Sequence, residues 1–170
     1  MTASASLEPG DYVVVRSNAF AGRIIRAFTR SWADHAFVYA GDGQILESTP
    51  RRGVRQSPLS SYAGLKAAAN LGDVLTGTER AAVVLAARSY VGDDYGWREI
   101  VLITLRRLGF RWSWLVRPDK TELICSELVA LAYGMAGLEL LCGEPSAAYV
   151  TPADLADRDG MEPVQIGETA

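Results

Sequence analysis

Two β-prone runs, residues 35–40 (HAFVYA) and 44–48 (QILES), flank Gly41-Asp42-Gly43, and this arrangement constrains the fold more than any other stretch. Asp and Gly tolerate the positive φ angles of a tight reversal, so the segment predicts an antiparallel hairpin. Loop length then decides which side chains share a face. A two-residue loop, Asp42-Gly43, sets Val38 opposite Glu47 and turns His35 to the other side. A three-residue loop, Gly41-Asp42-Gly43 with Gly43 left-handed, sets Phe37 opposite Glu47 and leaves His35 two residues along on the same face. His35 and Glu47 are then diagonal neighbours, ~7–8 Å apart at the backbone and bridgeable by their side chains. The three-residue loop is the expectation, because its last position requires the glycine found at 43. A solvent-facing strand carboxylate is the alternative reading of Glu47.

His35 is the only histidine among 170 residues, and there are two cysteines, Cys125 and Cys142. One His excludes a multi-His metal centre, and two Cys exclude a four-thiolate zinc site and a disulfide-rich scaffold. A Cys–His pair stays open, and no metal or cofactor is expected. A Cys125–Cys142 disulfide is compatible with the sequence and would disable chemistry at both thiols. The length fits one domain, residues 1–170. Hydrophobic residues make up 49% and charged residues 22%, which is globular composition, and the net charge of −3 argues against a nucleic-acid partner. The start, MTASASLEPG, has neither a basic nor an apolar signal region. The longest apolar run, Ile100–Leu105, is far shorter than the ~20 residues of a membrane span. The expectation is a chain made soluble in the cytoplasm, with its site of action and oligomeric state open.

Along the rest of the chain, residues 11–16 predict a strand and 19–30 an amphipathic helix, with Ile24, Ile25 and Phe28 set against a solvated face of Arg23, Arg26 and Arg30. Residues 50–73 read as loop, with one strand near Gly53–Gln56. Thr78–Val91 predicts a helix capped by Thr78, residues 96–108 a second, and Glu122–Ala136 a third. In the third, Ile124, Leu128, Leu131, Ala132 and Met135 form the apolar stripe. Thr151-Pro152-Ala153-Asp154 has the form of a helix start, with Thr151 as N-cap and Pro152 at N1.

Cys125 falls in the first turn of the third helix. A thiol there feels the positive end of the helix dipole and unpaired backbone N–H groups. Both favour the thiolate, and the same N–H groups can hold an oxyanion. A buried structural Cys is the equal alternative on position alone. Cys142, in a loop with no such support, reads as structural. A Cys nucleophile needs a base within hydrogen-bond reach, and that base needs an orienting partner. His35 and Glu47 supply those residue types.

These segments resemble a known family. His35-Ala-Phe-Val-Tyr-Ala-Gly-Asp-Gly-Gln-Ile-Leu-Glu47 resembles the His-bearing hairpin of NlpC-type papain-like cysteine peptidases, and Ile124-Cys-Ser-Glu-Leu-Val129 resembles their nucleophile helix. The usual order is Cys before His; here His35 precedes Cys125. That order, the Glu at the third position and the Cys-Ser-Glu-Leu-Val string resemble the circularly permuted, YiiX-like branch, related to lecithin:retinol acyltransferases. The Pro-Gly-Asp-Tyr strand start, Gly92-Asp-Asp-Tyr95-Gly-Trp97 and Val150-Thr-Pro152 agree with it. The resemblance spans about residues 9–155.

It implies an α+β, permuted papain-like fold, with a small antiparallel sheet packed against helices including the one that bears Cys125. It implies Cys125 as nucleophile, His35 as base, Glu47 as orienting residue and Tyr95 as a hydroxyl pointed into the site; a packed aromatic is the alternative for Tyr95. Glu127 stands where ordinary members have Gly, which is expected to be a local packing matter. The implied reaction is amide hydrolysis by acyl transfer, with bacterial cell-wall peptides as substrate. A lipid acyl hydrolase or acyltransferase is the alternative, and a non-catalytic binding module of a cell-wall or phage assembly is a third reading. Arg98, Arg106, Arg107, Arg111 and Arg117, interleaved with Phe110, Trp112 and Trp114, suit peripheral contact with an anionic surface; aromatics packed inward are the plainer reading.

Overall fold

The computed structural model describes residues 6–50, 52–95, 122–140, 147 and 150–167. In chain order these form β1 (Tyr12–Val15), α1 (Phe20–Thr29), β2 (His35–Gly41), β3 (Gln44–Thr49), β4 (Gly53–Pro58), a 3₁₀ turn (Leu59–Tyr62) and β5 (Ala67–Ala69). Then follow α2 (Gly77–Ser89), β6 (Asp94–Tyr95), β7 (Glu122–Leu123), α3 (Cys125–Met135), α4 (Pro152–Ala156) and β8 (Glu162–Val164). The architecture is α+β. Six strands form one antiparallel sheet in the order β4-β3-β2-β1-β5-β8, while β6 and β7 pair in parallel beside it. The expected α+β class, with an antiparallel sheet packed on the Cys-bearing helix, is what the chain adopts.

Alternation along the strands divides the core in two. Tyr12, Val14, Ala36, Val38 and Leu46 face α2 and α3, where Val83, Ala87, Val129 and Ala132 complete the layer. Val13, Val15, Phe37 and Ile45 face the other way, under Leu59, Tyr62 and Ile166. Helix α3 is buried on more of its circumference than its predicted stripe. Leu128 and Ala132 are buried as expected, and so are Val129 and Tyr133, whereas Met135 is 62% exposed. Within the last turn the buried side is that of Ala132 and Tyr133, whose hydroxyl bonds Gly10 and Asn70, and Met135 is left on the other side.

The hairpin register is the predicted one, Phe37 opposite Glu47, but the loop is different. Gly41 pairs with Gln44, so the turn is the two-residue Asp42-Gly43, with φ of 50° and 66°. Positive φ at both positions gives the type I′ geometry that matches strand twist. The additional residue is a bulge between Tyr39 and Gly41, which shifts the ladder by one and brings His35 onto the face of Glu47.

Three local expectations are corrected. The cap of α2 is Thr76, not Thr78: Thr76 and Glu79 form a reciprocal capping box. Residues 122–123 are strand, so α3 begins at Cys125 itself. Arg26 is not solvated. It pairs with the buried Asp34 and donates to Ser17 O at 3.1 Å, while Arg23 and Arg30 stay exposed. Thr151 as N-cap and Pro152 at N1 appear as predicted, and Asp154 closes a reciprocal capping box with Thr151. The predicted helix at 96–108 lies outside the described residues.

Two anchors fix α3. Tyr133 donates to Gly10 O at 2.7 Å and accepts from Asn70 Nδ2 at 2.8 Å, while Asn70 Oδ1 accepts the Tyr12 N–H. At the other end Ser126 Oγ donates to Val150 O at 2.7 Å. Together they set the rotation and height of Cys125 against the sheet.

A close approach also feeds the site. Gly53 has φ +63°, and a Cβ there would sit 2.1 Å from Asp93 O. That carbonyl accepts the Val54 N–H at 2.8 Å, leading directly into β6, which pairs with β7 and so with the start of α3. Gly53→Ala is expected to destabilise the chain by ~2 kcal/mol or more, since it adds left-handed strain to a backbone clash. A thermal melt reads this as a drop on the order of 5 °C; an unchanged melt would mean that the 53–93 contact is dispensable.

Candidate active site

The hairpin brings His35, at the head of β2, against Glu47 in β3. Nε2 of His35 lies 3.0 Å from Glu47 Oε2. Glu47 has no solvent exposure, and an ionised carboxylate survives there only if its acceptor positions are filled. They are. Oε1 accepts from Arg55 Nη2 at 2.8 Å and from Ser57 Oγ at 2.6 Å, and Oε2 accepts from His35 and from the Tyr62 hydroxyl. Four donors match the roughly four acceptor positions of a carboxylate. The alternative of a solvent-facing Glu47 is therefore excluded.

These partners come from the strand ladder. Arg55 sits directly opposite Glu47 in the β3–β4 register, and Ser57 is two residues along on the same strand face. Tyr62 reaches in from the 3₁₀ turn and stacks on the imidazole, with ring centroids 5.5 Å apart and planes inclined by 23°. Phe37 packs against both rings. The imidazole is thus held in its plane by stacking and in its rotation by the Glu47 hydrogen bond.

Cys125 arrives from the other side. It is the first residue of α3, and its N-cap, Ile124, offers no side-chain hydrogen bond, so the helix start carries no side-chain cap from that position. The buried thiol is free, hydrogen-bonds His35 and accepts from the backbone N–H groups of Ala36 and Ser126. With Nε2 committed to Glu47, Nδ1 is the ring nitrogen left for the thiol.

The electrostatics follow from these contacts. Burial pulls the His35 pKa down, but the charge and hydrogen bond of Cys125, then the hydrogen bond and charge of Glu47, outweigh it and raise the pKa to about 9. Burial pushes the Cys125 thiol up; the His35 charge and hydrogen bond, helped by the Ala36 and Ser126 N–H groups, bring it below its ordinary value. For Glu47, burial again opposes ionisation, yet His35, Ser57 and Tyr62 together lower it to about 2. Burial and the Glu47 charge raise Tyr62, which therefore keeps its proton and acts as a donor. At neutral pH the site holds a cationic imidazole beside a thiol displaced toward thiolate.

Of the residues singled out in the sequence, His35, Glu47 and Cys125 meet in this one place. Tyr95 has its backbone in β6, opposite Leu123 and so near Cys125 in the chain path; its side chain lies outside the described residues. Cys142 and the Arg98–Arg117 stretch lie outside them as well. Sequence reasoning missed Arg55, Ser57 and Tyr62. The first two were findable in principle, because a hairpin closing over 50–52 sets Arg55 against Glu47 as an opposite-charge cross-strand pair. Nothing local marks Tyr62.

No protein-family model matches the chain, and no curated protein matches it. Among solved structures, its fold is similar to that of a protein from Escherichia coli O157:H7 described as metalloprotein yiiX, DUF1105, with a TM-score of 0.65. The two are 16% identical over 94% of this chain and 97% of the other. At that identity the likeness shows a shared, YiiX-like fold. Among the described residues, no helix is long and apolar enough to cross a membrane.

Proposed function

We propose that the chain is a cysteine hydrolase of the circularly permuted, NlpC-type papain-like kind, one domain over residues 1–170 with its core at about 9–155, and that it cleaves amide bonds in bacterial cell-wall peptides. The observation that carries this reading is the contact of Cys125, at a helix start without a side-chain cap, with an imidazole oriented by a buried and fully satisfied carboxylate.

In the proposed reaction the Cys125 thiolate attacks the amide carbonyl carbon. The oxyanion that forms is held by backbone N–H groups at the start of α3, with Ser126 as one donor. The His35 imidazolium gives its proton to the departing amine as the C–N bond breaks, leaving a thioester on Cys125. Neutral His35 then takes a proton from water as the water attacks the thioester. Collapse releases the acid and restores the thiolate–imidazolium pair. Glu47 keeps its proton-free form throughout and holds Nε2.

The structural relative is described as a metalloprotein, so the donor set here was weighed against a metal. Among the described residues, no three His, Cys, Asp or Glu side chains converge to hold one. At the site, both Glu47 oxygens are engaged, and a cation beside them would face the Arg55 guanidinium. That leaves the Cys125 sulfur and one His35 nitrogen, two donors where a protein site normally provides three or four. The described residues do not fit a resident metal at this site, and no step runs through one.

The test is a parallel incubation with muropeptides and with phospholipid vesicles, alongside labelling of Cys125 by chloroacetamide across pH. Muropeptide cleavage supports the reading. Release of fatty acid alone moves the assignment to a lipid acyl hydrolase. No turnover, with Cys125 labelled no faster than a free thiol, supports a binding module instead. The sign of the pH dependence is set by the pair. Turnover rises as Cys125 ionises below its ordinary value of 9.0, and it falls again as His35 loses its proton at about 9. A rate still climbing well above pH 10 would contradict the pairing.

A further inference from the structure

Glu47 and Arg55 face each other across the β3–β4 ladder. Among the described residues the buried Arg55 Nε has no hydrogen-bond partner, and the guanidinium is tied to the site by its Nη2 bond to Glu47 Oε1. The division of labour at the carboxylate is sharp: Oε1 takes Arg55 and Ser57, and Oε2 takes His35 and Tyr62. A permanent cation on one oxygen offsets part of the charge that the other oxygen offers the imidazole.

We propose that Arg55 is a positioning residue that acts through Glu47, the two forming a single orienting unit with the net charge of an amide, and that Arg55 is the reason position 47 must be an acid. Its consequence for turnover rests on the cysteine-hydrolase reading above; its consequence for the imidazole does not.

The argument is one of donors and charges. An amide at 47 would have one oxygen and one NH₂ group. If the oxygen faced His35 and Tyr62, the NH₂ would face the Arg55 guanidinium, donor against donor beside a cation. If it turned round, the NH₂ would face His35 Nε2, which must carry its own proton when Nδ1 serves the thiol. No orientation satisfies both neighbours while Arg55 is present. With Arg55 replaced by an apolar side chain, the NH₂ can donate to Ser57 Oγ and the oxygen can serve His35 and Tyr62. Among the described residues, the charged and titratable groups around this centre are Cys125 from α3, Glu47 from β3, Arg55 from β4 and Tyr62 from the 3₁₀ turn, with Ser57 and Phe37 uncharged.

Because His35 is the only histidine, its imidazole resonances titrate without ambiguity in the full chain made without a histidine tag. Arg55→Met removes the cation that opposes the imidazolium and is expected to raise the His35 midpoint by about one pH unit. Arg55→Lys keeps the charge and is expected to restore the parent midpoint. Glu47→Gln is expected to lower the midpoint and to reduce turnover by about 100-fold. The double variant Glu47→Gln/Arg55→Met is expected to titrate above Glu47→Gln and to recover about tenfold of the lost turnover. The proposal is overturned if Arg55→Met leaves the midpoint unmoved, or if the double variant titrates no higher than Glu47→Gln. Should Arg55→Met fail to fold, the comparison of Glu47→Gln with the double variant, which leaves no carboxylate unpaired, decides the matter alone. If no variant and no parent turns over any substrate while the midpoints move as stated, the hydrolase reading fails and this one stands.

Discussion

Cys125→Ala is expected to abolish turnover, with a fall in kcat/KM of at least ~10⁴-fold and the fold retained. The reaction proposed here forms its covalent bond at Cys125 Sγ, and nothing else among the described side chains at the site can take that role. Glu47 is engaged by four donors, and Tyr62 keeps its proton. The structural cost is small, because one sulfur leaves a void beside the N-terminus of α3 while the Ser126 and Tyr133 anchors remain; it is ~1 kcal/mol. Steady-state hydrolysis and a thermal melt check the two halves. The same substitution removes the largest influence raising His35, so the imidazole midpoint is expected to fall below about 9. Hydrolysis at the parental rate in a folded Cys125→Ala chain would end the proposal.

His35→Ala carries the second largest effect, a loss of about 10³–10⁴-fold in turnover and a change in the reactivity of Cys125 itself. The thiol lies low because of the charge and hydrogen bond of His35, acting against burial. Without the imidazole, burial prevails and the thiol moves back up, leaving the helix start and two N–H groups as its remaining support. Chloroacetamide labelling at pH 7 is expected to slow by ~100-fold. Equal labelling of parent and variant would show that the helix start alone activates the thiol. Glu47 keeps three of its donors in this variant, so the chain should still fold.

The same shifts act on stability. The contribution of charged His35 is complete below its ordinary value of 6.5 and is lost as pH rises through about 9. That of ionised Glu47 is complete above its ordinary value of 4.5 and is lost as pH falls through about 2. Both contributions are full between pH 4.5 and 6.5.

Much of this was readable in the sequence where contacts are local. The capping box at Thr151–Asp154 and the amphipathic α1 follow from spacing alone. The Thr76 cap is legible too, since Thr76 precedes Glu79 by the three residues of a capping box, a spacing that Thr78 lacks. The hairpin is instructive in another way. Its register was predicted correctly from a loop that the chain does not use. A type I′ turn plus a bulge and a three-residue loop place the same residues opposite each other, so pairing is legible even when its cause is not. The stripe on α3 was misjudged at Met135 and Tyr133, because helical spacing says which residues align but not which neighbours cover them.

The sequence by itself indicated that His35 and Glu47 share a strand face and that Cys125 lies in the first turn of a helix, and it determined that no second histidine can stand in for the first. Those facts depend on periods of two and 3.6 residues and on turn chemistry, which operate within a dozen positions. Only the tertiary structure decided that Cys125 meets an imidazole ninety residues earlier in the chain, and that Arg55, Ser57 and Tyr62 fill the remaining acceptor positions of Glu47. A buried carboxylate must be neutralised and hydrogen-bonded from every side, and those sides belong to a strand and a turn that only folding brings together.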